Sequence, residues 1–220
     1  MRPTDARLLE GRPQRAVFLP TAAGEEGEER IKYWLDLGTR HYEAIGVEPV
    51  PLPVLTREDA ASDWAVDAIA GAGLVYLSGG DPGHLADVLR ATPVWDAIVA
   101  AWNGGAAIAG CSAGACALTA VANHVRTGRP GDGLGLIPHL AVMPHYDLFR
   151  RRAPGRVEAL IAGMTGNLTA VGIDEDTALV GGPTRFVVEG RQEVWVYGAA
   201  GEEPIPYRAG DQVDLPPATD

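Results

Sequence analysis

Short apolar runs alternate with amphipathic segments over about the first 170 residues of the chain. The runs have the length and composition of buried strands, and they fall at 16–20, 74–77, 106–109, 140–143 and 169–173. Apolar residues at helical spacing predict helices over 31–45, 64–69, 84–89, 94–102 and 150–164, with an extended segment at 47–55. This alternation predicts a doubly wound α/β fold, flavodoxin-like, in which helices cover both faces of a mostly parallel sheet.

The C-terminal part of the chain changes character. Three short runs rich in β-branched and aromatic residues are separated by turns, which predicts an antiparallel β meander over 178–180, 186–188 and 194–197. Neither an internal repeat nor a linker divides the sequence. We therefore expect one domain over residues 1–220, with 1–14 and 204–220 as peripheral tails.

Composition limits the possible partners. The 220 residues are 46% hydrophobic with a formal net charge of −11, which argues against nucleic acid and anionic membranes. No apolar run approaches the roughly 20 residues of a membrane span, and the first residues do not resemble a signal peptide. A disulfide between Cys111 and Cys116 would distort the predicted turn between them, and the chain shows no zinc pattern. We expect a cytoplasmic monomer or homodimer with reduced thiols and neither metal nor organic cofactor.

The sequence 110–114, Gly-Cys-Ser-Ala-Gly, has the form G-x-S-x-G and joins a predicted strand to a predicted helix. Such a sharp turn holds its central residue in a strained backbone with the side chain exposed above the sheet, and small neighbours let the turn close. Ser112 is therefore the candidate nucleophile. Cys111 is a rival that would imply thioester chemistry, but the turn geometry favours the central residue. The assignment requires a base and oxyanion donors elsewhere in the chain.

The serine hydroxyl needs a general base, and histidine is the usual base at neutral pH. In an open parallel sheet, ligands gather at the carboxyl ends of the strands. His145 follows the strand at 140–143 and therefore lies at the same edge as Ser112. The remaining histidines fall in or beside predicted helices or before a strand; they are His41, His84, His124 and His139. We predict His145 as the base, with a purely structural histidine as the alternative.

An acidic side chain must orient the base and stabilise its cation. Glu175 follows the strand at 169–173 and is the first candidate, with Asp174 and Asp176 as alternatives. Successive residues of an extended chain point to opposite faces, so these three carboxylates cannot all face the histidine. A solvated acidic turn is the remaining interpretation.

Backbone amides of Ala113 and Gly80 are the expected oxyanion donors, because one follows the nucleophile and the other lies in a glycine pair after a strand. A glycine pair is also an ordinary turn. Candidate substrate-binding residues are Asp81, Arg150 and Arg152. The arginines belong to a basic cluster after His145 that can hold a carboxylate or make internal salt bridges.

Four motifs in this order resemble the peptidase E and cyanophycinase family of serine peptidases; they lie at 78–81, 110–115, 144–146 and 172–178. Members of the family look like class I glutamine amidotransferase domains in which serine replaces the cysteine nucleophile. The resemblance covers about residues 16–197 and implies Ser112 as nucleophile and His145 as base. Glu175 matches the acid of cyanophycinases. Peptidase E instead has an aspartate shortly after the helix that follows its nucleophile, where this chain has no acid before Asp132.

The resemblance implies a serine exopeptidase of peptidase E type that hydrolyses short peptides, among them aspartyl dipeptides, without a cofactor. Cyanophycinases carry Asp-Gln before the catalytic histidine, whereas this chain has Met143-Pro144. Pro82 stands where the family often has a glutamine that touches substrate. Two alternatives remain open: a cyanophycinase-like hydrolase of β-aspartyl-arginine links, and a non-catalytic binding domain with the amidotransferase-like fold.

Overall fold

The structure is a computed structural model, which describes the chain apart from residues 1, 153–154, 156, 158–160, 162–167, 199–202 and 218–220. The N-terminal half contains a parallel sheet in the order β2-β1-β3-β4. Its strands are β1 (Arg15–Leu19), β2 (Glu48–Pro51), β3 (Leu74–Leu77) and β4 (Ala107–Gly110). All three pairings are parallel. The predicted α/β fold with a parallel sheet is confirmed.

The described helices include α1 (Arg2–Leu8), α2 (Glu28–Glu43), α3 (Asp63–Ile69), α4 (Pro82–Leu89), α5 (Pro93–Asn103), α6 (Ala113–Ala117) and α7 (Tyr146–Arg152). Of these, α2, α3, α4 and α5 overlap helices predicted from the apolar spacing. Side-chain caps define where two of them begin. The Asp81 carboxylate accepts the His84 N–H at the start of α4, and the Thr92 hydroxyl accepts the Trp95 N–H at the start of α5. Each cap satisfies an amide that the helix itself leaves unpaired.

Helices cover both faces of the parallel sheet. Val17 and Leu19 of β1 belong to a core with apolar side chains of α3, α4 and α5. The alternate residues Ala16 and Phe18 pack on the opposite face with Tyr42 of α2. Since strand side chains alternate in direction, one strand supplies both cores. None of the helices in the described residues is long and apolar enough to cross a membrane.

Two further sheets complete the fold. The first contains β5 (Leu140–Met143), β6 (Thr169–Ile173), β9 (Glu193–Val196) and β10 (Ile205–Arg208) in the order β10-β9-β6-β5. The second contains β7 (Thr177–Gly181), β8 (Arg185–Gly190) and β11 (Gln212–Asp214) in the order β11-β8-β7. Only β5 and β6 pair in parallel here; the other pairings are antiparallel.

The C-terminal segments differ from the expectation in three ways. β7 and β8 form the predicted hairpin, but β9 pairs with β6 rather than continuing the meander. Residues 204–217, expected as part of a tail, contribute β10 and β11 because Val213 and Leu215 bury their side chains beside Phe186. At the other end, 1–14 contains α1, followed by the fully buried Leu9. Of the helix predicted at 150–164, residues 150–152 form the end of α7, and most of the others lie outside the described residues.

The expected single sheet is divided between β4 and β5. The carbonyls of Leu140 and Val142, on the side of β5 away from β6, accept hydrogen bonds from the Ala120 N–H at 2.9 Å and the Cys116 thiol at 3.4 Å. The segment after the predicted nucleophile therefore occupies the edge of β5. β4 is left as the last strand of its own sheet.

Candidate active site

Ser112 occupies the sharp turn between β4 and α6. Its backbone has φ 50° and ψ −110°, a conformation that non-glycine residues rarely adopt. The flanking glycines make the turn possible, because a Cβ on Gly114 would lie 2.1 Å from the Leu77 carbonyl oxygen and one on Gly110 would lie 2.4 Å from the Gly114 carbonyl carbon. The turn thus has the strained geometry predicted from the G-x-S-x-G motif.

Three predicted residues form a continuous hydrogen-bonded chain. The Ser112 Oγ lies 2.7 Å from the His145 Nε2, and the His145 Nδ1 lies 2.6 Å from the Glu175 Oε1. The histidine and glutamate side chains are 40% and 44% exposed, so the three hydrogen-bonded residues are open to solvent. This is the arrangement of a nucleophile, a base and an orienting carboxylate.

The parallel pair β5 and β6 brings base and acid together. His145 and Glu175 each lie two residues beyond the end of a strand, and the two strands pair in register. Backbone contacts hold the acid in place: its N–H donates to Asp147 Oδ1 at 3.1 Å, and its carbonyl accepts from Gln192 at 2.9 Å and Thr177 at 3.1 Å. Sequence reasoning missed Asp147 and Gln192, because neither belongs to a motif.

The two alternative acids have other partners. Asp174 Oδ2 accepts hydrogen bonds from the Trp195 indole and the Glu193 N–H, each at 3.3 Å. Burial raises the pKa of Asp174. Asp176 pairs with Arg191, which lowers the Asp176 pKa. Among the three adjacent carboxylates, the structure places only that of Glu175 against the histidine ring.

Two amides near the serine are available to bind an oxyanion. Within the described residues, the structure gives no hydrogen-bond acceptor for the N–H groups of Ala113 and Gly80. Gly80 has φ 144°, and a Cβ there would lie 2.3 Å from the Ala22 carbonyl oxygen. The preceding Gly79 is the closer neighbour of the serine, since a Cβ on Gly79 would lie 3.4 Å from the Ser112 Cβ. Gly80 of this pair was named from the sequence as the second donor, and that assignment stays a prediction.

The Cys111 thiol contacts groups other than His145. Burial raises its pKa, and its contacts are the Tyr76 hydroxyl and the Gly79 N–H. Both cysteines are free. The hydrogen bond of His145 goes to Ser112, which leaves the cysteine without the activating base that a nucleophilic thiol requires.

Asp81, Arg150 and Arg152, the predicted substrate-binding residues, are not part of the lining of the cavity around the serine. Asp81 is 3% exposed, and its oxygens accept the N–H groups of His84 and Arg126. Arg150 lies 3.9 Å above the Trp195 ring and lines a cavity of about 450 Å³ that shares Asp174 with the one around the serine. Arg152 is exposed.

The serine, histidine and glutamate line a second cavity of about 470 Å³. Trp34 of α2 also lines it, and its ring lies beside Gly79. Trp34 was not predicted from the sequence as a site residue, because helical spacing only placed it in a predicted helix. Within the described ranges, no group of three or more histidine, cysteine, aspartate or glutamate side chains is arranged to hold a metal ion.

Comparisons with known proteins find related sequences. The model of peptidase family S51 matches residues 4–185. Cyanophycinases from Nostoc sp. and Trichormus variabilis are each 35% identical over 156 residues, which is 64% of this chain and 50% of theirs. The chain therefore spans about half the length of the curated relatives it matches.

Two solved structures resemble the whole fold. The crystal structure of a peptidase from an acI-B1 Actinobacterium has a TM-score of 0.87 at 34% identity, covering 97% of this chain and 91% of that one. A putative peptidase E protein from Listeria monocytogenes has a TM-score of 0.61 at 17% identity, covering 96% and 94%; this second likeness concerns the fold alone.

Proposed function

The chain belongs to peptidase family S51, and from this premise we propose that it is a serine peptidase whose catalytic residues are Ser112, His145 and Glu175. The observation that carries the proposal is the hydrogen-bonded chain from the serine hydroxyl through the imidazole to the carboxylate. The strained turn at the serine and the amides of Ala113 and Gly80, which have no acceptor within the described part of the chain, supply the remaining parts of an acyl-transfer site.

The mechanism follows from these positions. The Ser112 Oγ attacks the scissile carbonyl while His145 Nε2 takes its proton, and Glu175 holds Nδ1–H and stabilises the imidazolium. The amides of Gly80 and Ala113 donate to the oxyanion of the tetrahedral intermediate. The imidazolium then protonates the leaving amine, and a water molecule, deprotonated by the same imidazole, hydrolyses the acyl-enzyme.

We propose that the protein acts as an exopeptidase on short peptides. Aspartyl dipeptides are the first class to assay. The Pro144-His145 pair, which resembles peptidase E, supports this class. We place the protein in the cytoplasm as a monomer or homodimer acting on small peptides, without nucleic acid or membrane partners. Its two free thiols and formal net charge of −11 support the location and the exclusion of polyanions.

A second candidate is hydrolysis of β-aspartyl-arginine links. Its support is the 35% identity to proteins named cyanophycinase. Met143-Pro144 before the base, in place of the Asp-Gln of those proteins, favours the first candidate. Parallel assays of α-aspartyl dipeptides and β-aspartyl-arginine distinguish the two activities.

The test is labelling with a fluorophosphonate probe together with hydrolysis of a dipeptide library. Wild type and Ser62→Ala, which removes a serine hydroxyl before α3, are expected to react with the probe and hydrolyse peptides, whereas Ser112→Ala does neither. Equal activity of Ser112→Ala contradicts the proposal. Wild-type protein that neither labels nor hydrolyses supports a non-catalytic binding domain instead.

The identity of the acid has its own test. Glu175→Gln is expected to lower kcat by about 10³-fold or more, as loss of the orienting carboxylate does in other triads. Asp176→Asn removes a neighbouring charge whose partner is Arg191 and serves as the matched control. A larger loss in Asp176→Asn than in Glu175→Gln contradicts the assignment.

A further inference from the structure

One wall of the catalytic cavity is an unpaired strand edge. β4 bonds to β3 through its alternate residues, as the N–H groups of Ala107 and Cys111 show by donating to that strand. Residues between them direct their N–H and C=O groups to the opposite edge, because main-chain groups alternate along a strand. These residues are Ile108 and Gly110, both half-buried, and both line the cavity that contains Ser112.

No described strand covers this edge. β4 ends its sheet, and the facing side of β5 is occupied by hydrogen bonds from Cys116 and Ala120. An open edge with polar main-chain groups is a template for pairing with another extended chain. Here the open edge ends next to the proposed nucleophile, since β4 ends two residues before Ser112.

A second edge strand also lines the cavity. Among the described strands, β7 pairs only with β8, and all of its residues line the cavity. It begins two residues after Glu175, so β4 runs toward the triad and β7 runs away from it. The lining also contains apolar side chains, among them Val142, Leu179 and Phe186, and polar side chains, among them Thr4, Asp5 and Thr119. The cavity is therefore a cleft with polar main-chain groups along β4 and both apolar and polar side chains around them.

We propose that the peptide substrate binds in this cleft as an extended strand paired with the outer edge of β4, with apolar side chains packed against the β7 wall. The inference rests on the proposed function, because Ser112 must be the group that the bound strand reaches. Main-chain pairing supplies affinity in such strand addition, and pockets for alternate side chains supply selectivity. At about 3.3 Å per residue, the four residues of β4 accommodate about three or four residues of substrate. Peptides of that length then bind more tightly than dipeptides, which remain substrates.

The substrate side of the proposal is tested with an alanine-leucine tetrapeptide and analogues N-methylated at one amide each. Methylation is expected to raise KM by about 10-fold at alternate positions only, the loss of one hydrogen bond each. An equal KM at every position contradicts the pairing. A dipeptide hydrolysed with the same kcat/KM as the tetrapeptide contradicts it as well.

The protein side is tested with Ile108→Pro, which removes the outward N–H and no hydrogen bond to β3. Ile108→Val shortens the same side chain but keeps the amide N–H. The ratio of the KM values of the two variants therefore measures the contribution of the amide alone. The expected ratio of tetrapeptide KM values is about 10. A ratio near 1 in a variant that melts like wild type overturns the proposal, and the N-methyl series decides the matter if Ile108→Pro does not fold.

Calorimetric titration of Ser112→Ala with the same tetrapeptides separates this inference from the proposed function. Binding that weakens at alternate methylated positions supports the cleft, even if wild type hydrolyses no peptide and the proposed function fails. Absence of binding in the calorimeter, alongside dipeptide hydrolysis by wild type, overturns the cleft and leaves the proposed function intact.

Discussion

The Asp147 carboxylate accepts a hydrogen bond from the backbone N–H of Glu175 at 3.1 Å. Asp147 lies two residues after His145 on α7 and is 9% exposed. Its second oxygen accepts from Arg151 at 2.8 Å. α7, which begins directly after His145, therefore also holds the backbone of Glu175, and this contact links the positions of the two side chains.

Asp147→Ala is expected to lower kcat by about 10-fold with little change in KM, because the acid loses a positioning hydrogen bond while substrate contacts remain. Asp147→Asn keeps an acceptor oxygen and should recover part of the loss. Arg151→Gln breaks the ion pair but keeps the acceptor, so it serves as the control. Steady-state kinetics on a dipeptide substrate measure the loss of kcat in each of the three variants. Equal losses in Asp147→Ala and Asp147→Asn contradict the positioning role.

Cys111→Ala is expected to retain most of the peptidase activity. Burial raises the pKa of this thiol, so little thiolate forms at neutral pH. For the same reason, iodoacetamide at pH 7 should leave the wild-type enzyme active under conditions in which a fluorophosphonate inactivates it. Rapid inactivation by iodoacetamide that Cys111→Ala prevents points to the cysteine as the nucleophile.

Gly114→Ala is expected to destabilise the fold severely. Its new Cβ would lie 2.1 Å from the Leu77 carbonyl oxygen, so either the nucleophile turn or β3 must move. Gly104→Ala at the end of α5 is the control, because φ there is −82° and the nearest atoms lie 3.3 Å away. Thermal melting compares the two. A melting temperature for Gly114→Ala equal to that of Gly104→Ala contradicts the close packing of the turn.

Asp174 is expected to make stability depend on pH. Burial raises its pKa, so above pH 4 the folded state binds more protons at this carboxyl than the unfolded state does. The contribution of Asp174 to the unfolding free energy is therefore greatest below its unfolded pKa of about 3.9 and falls as pH rises through the folded pKa. Asp174→Asn removes this fall while its amide oxygen can still accept the Trp195 indole hydrogen. Urea unfolding at pH 4 and pH 7 should show a smaller difference in the variant, and an identical difference contradicts the assignment.

Much of the site was predictable because its parts are local in the chain. The glycines around Ser112 indicate a strand-to-helix turn by spacing alone, and the structure has that turn with φ 50° at the serine. His145 and Glu175 follow runs of apolar residues that form neighbouring parallel strands. Glu175 was the first candidate among the three acids, but Asp174 and Asp176 stayed open, because the choice depends on which way each side chain turns after the strand ends.

The amino-acid sequence by itself determined the order of strands and helices and the strand ends at which the chemistry collects. Apolar periodicity and glycine spacing are short-range properties, and each stretch carries its own signal. Tertiary structure alone decided which groups meet, because His145 forms hydrogen bonds with Ser112 and Glu175, which lie 33 and 30 positions away in the chain. It also decided where the sheet divides. Cys116 and Ala120 compete with β4 for the edge of β5, and only the folded chain brings those hydrogen-bonding groups together.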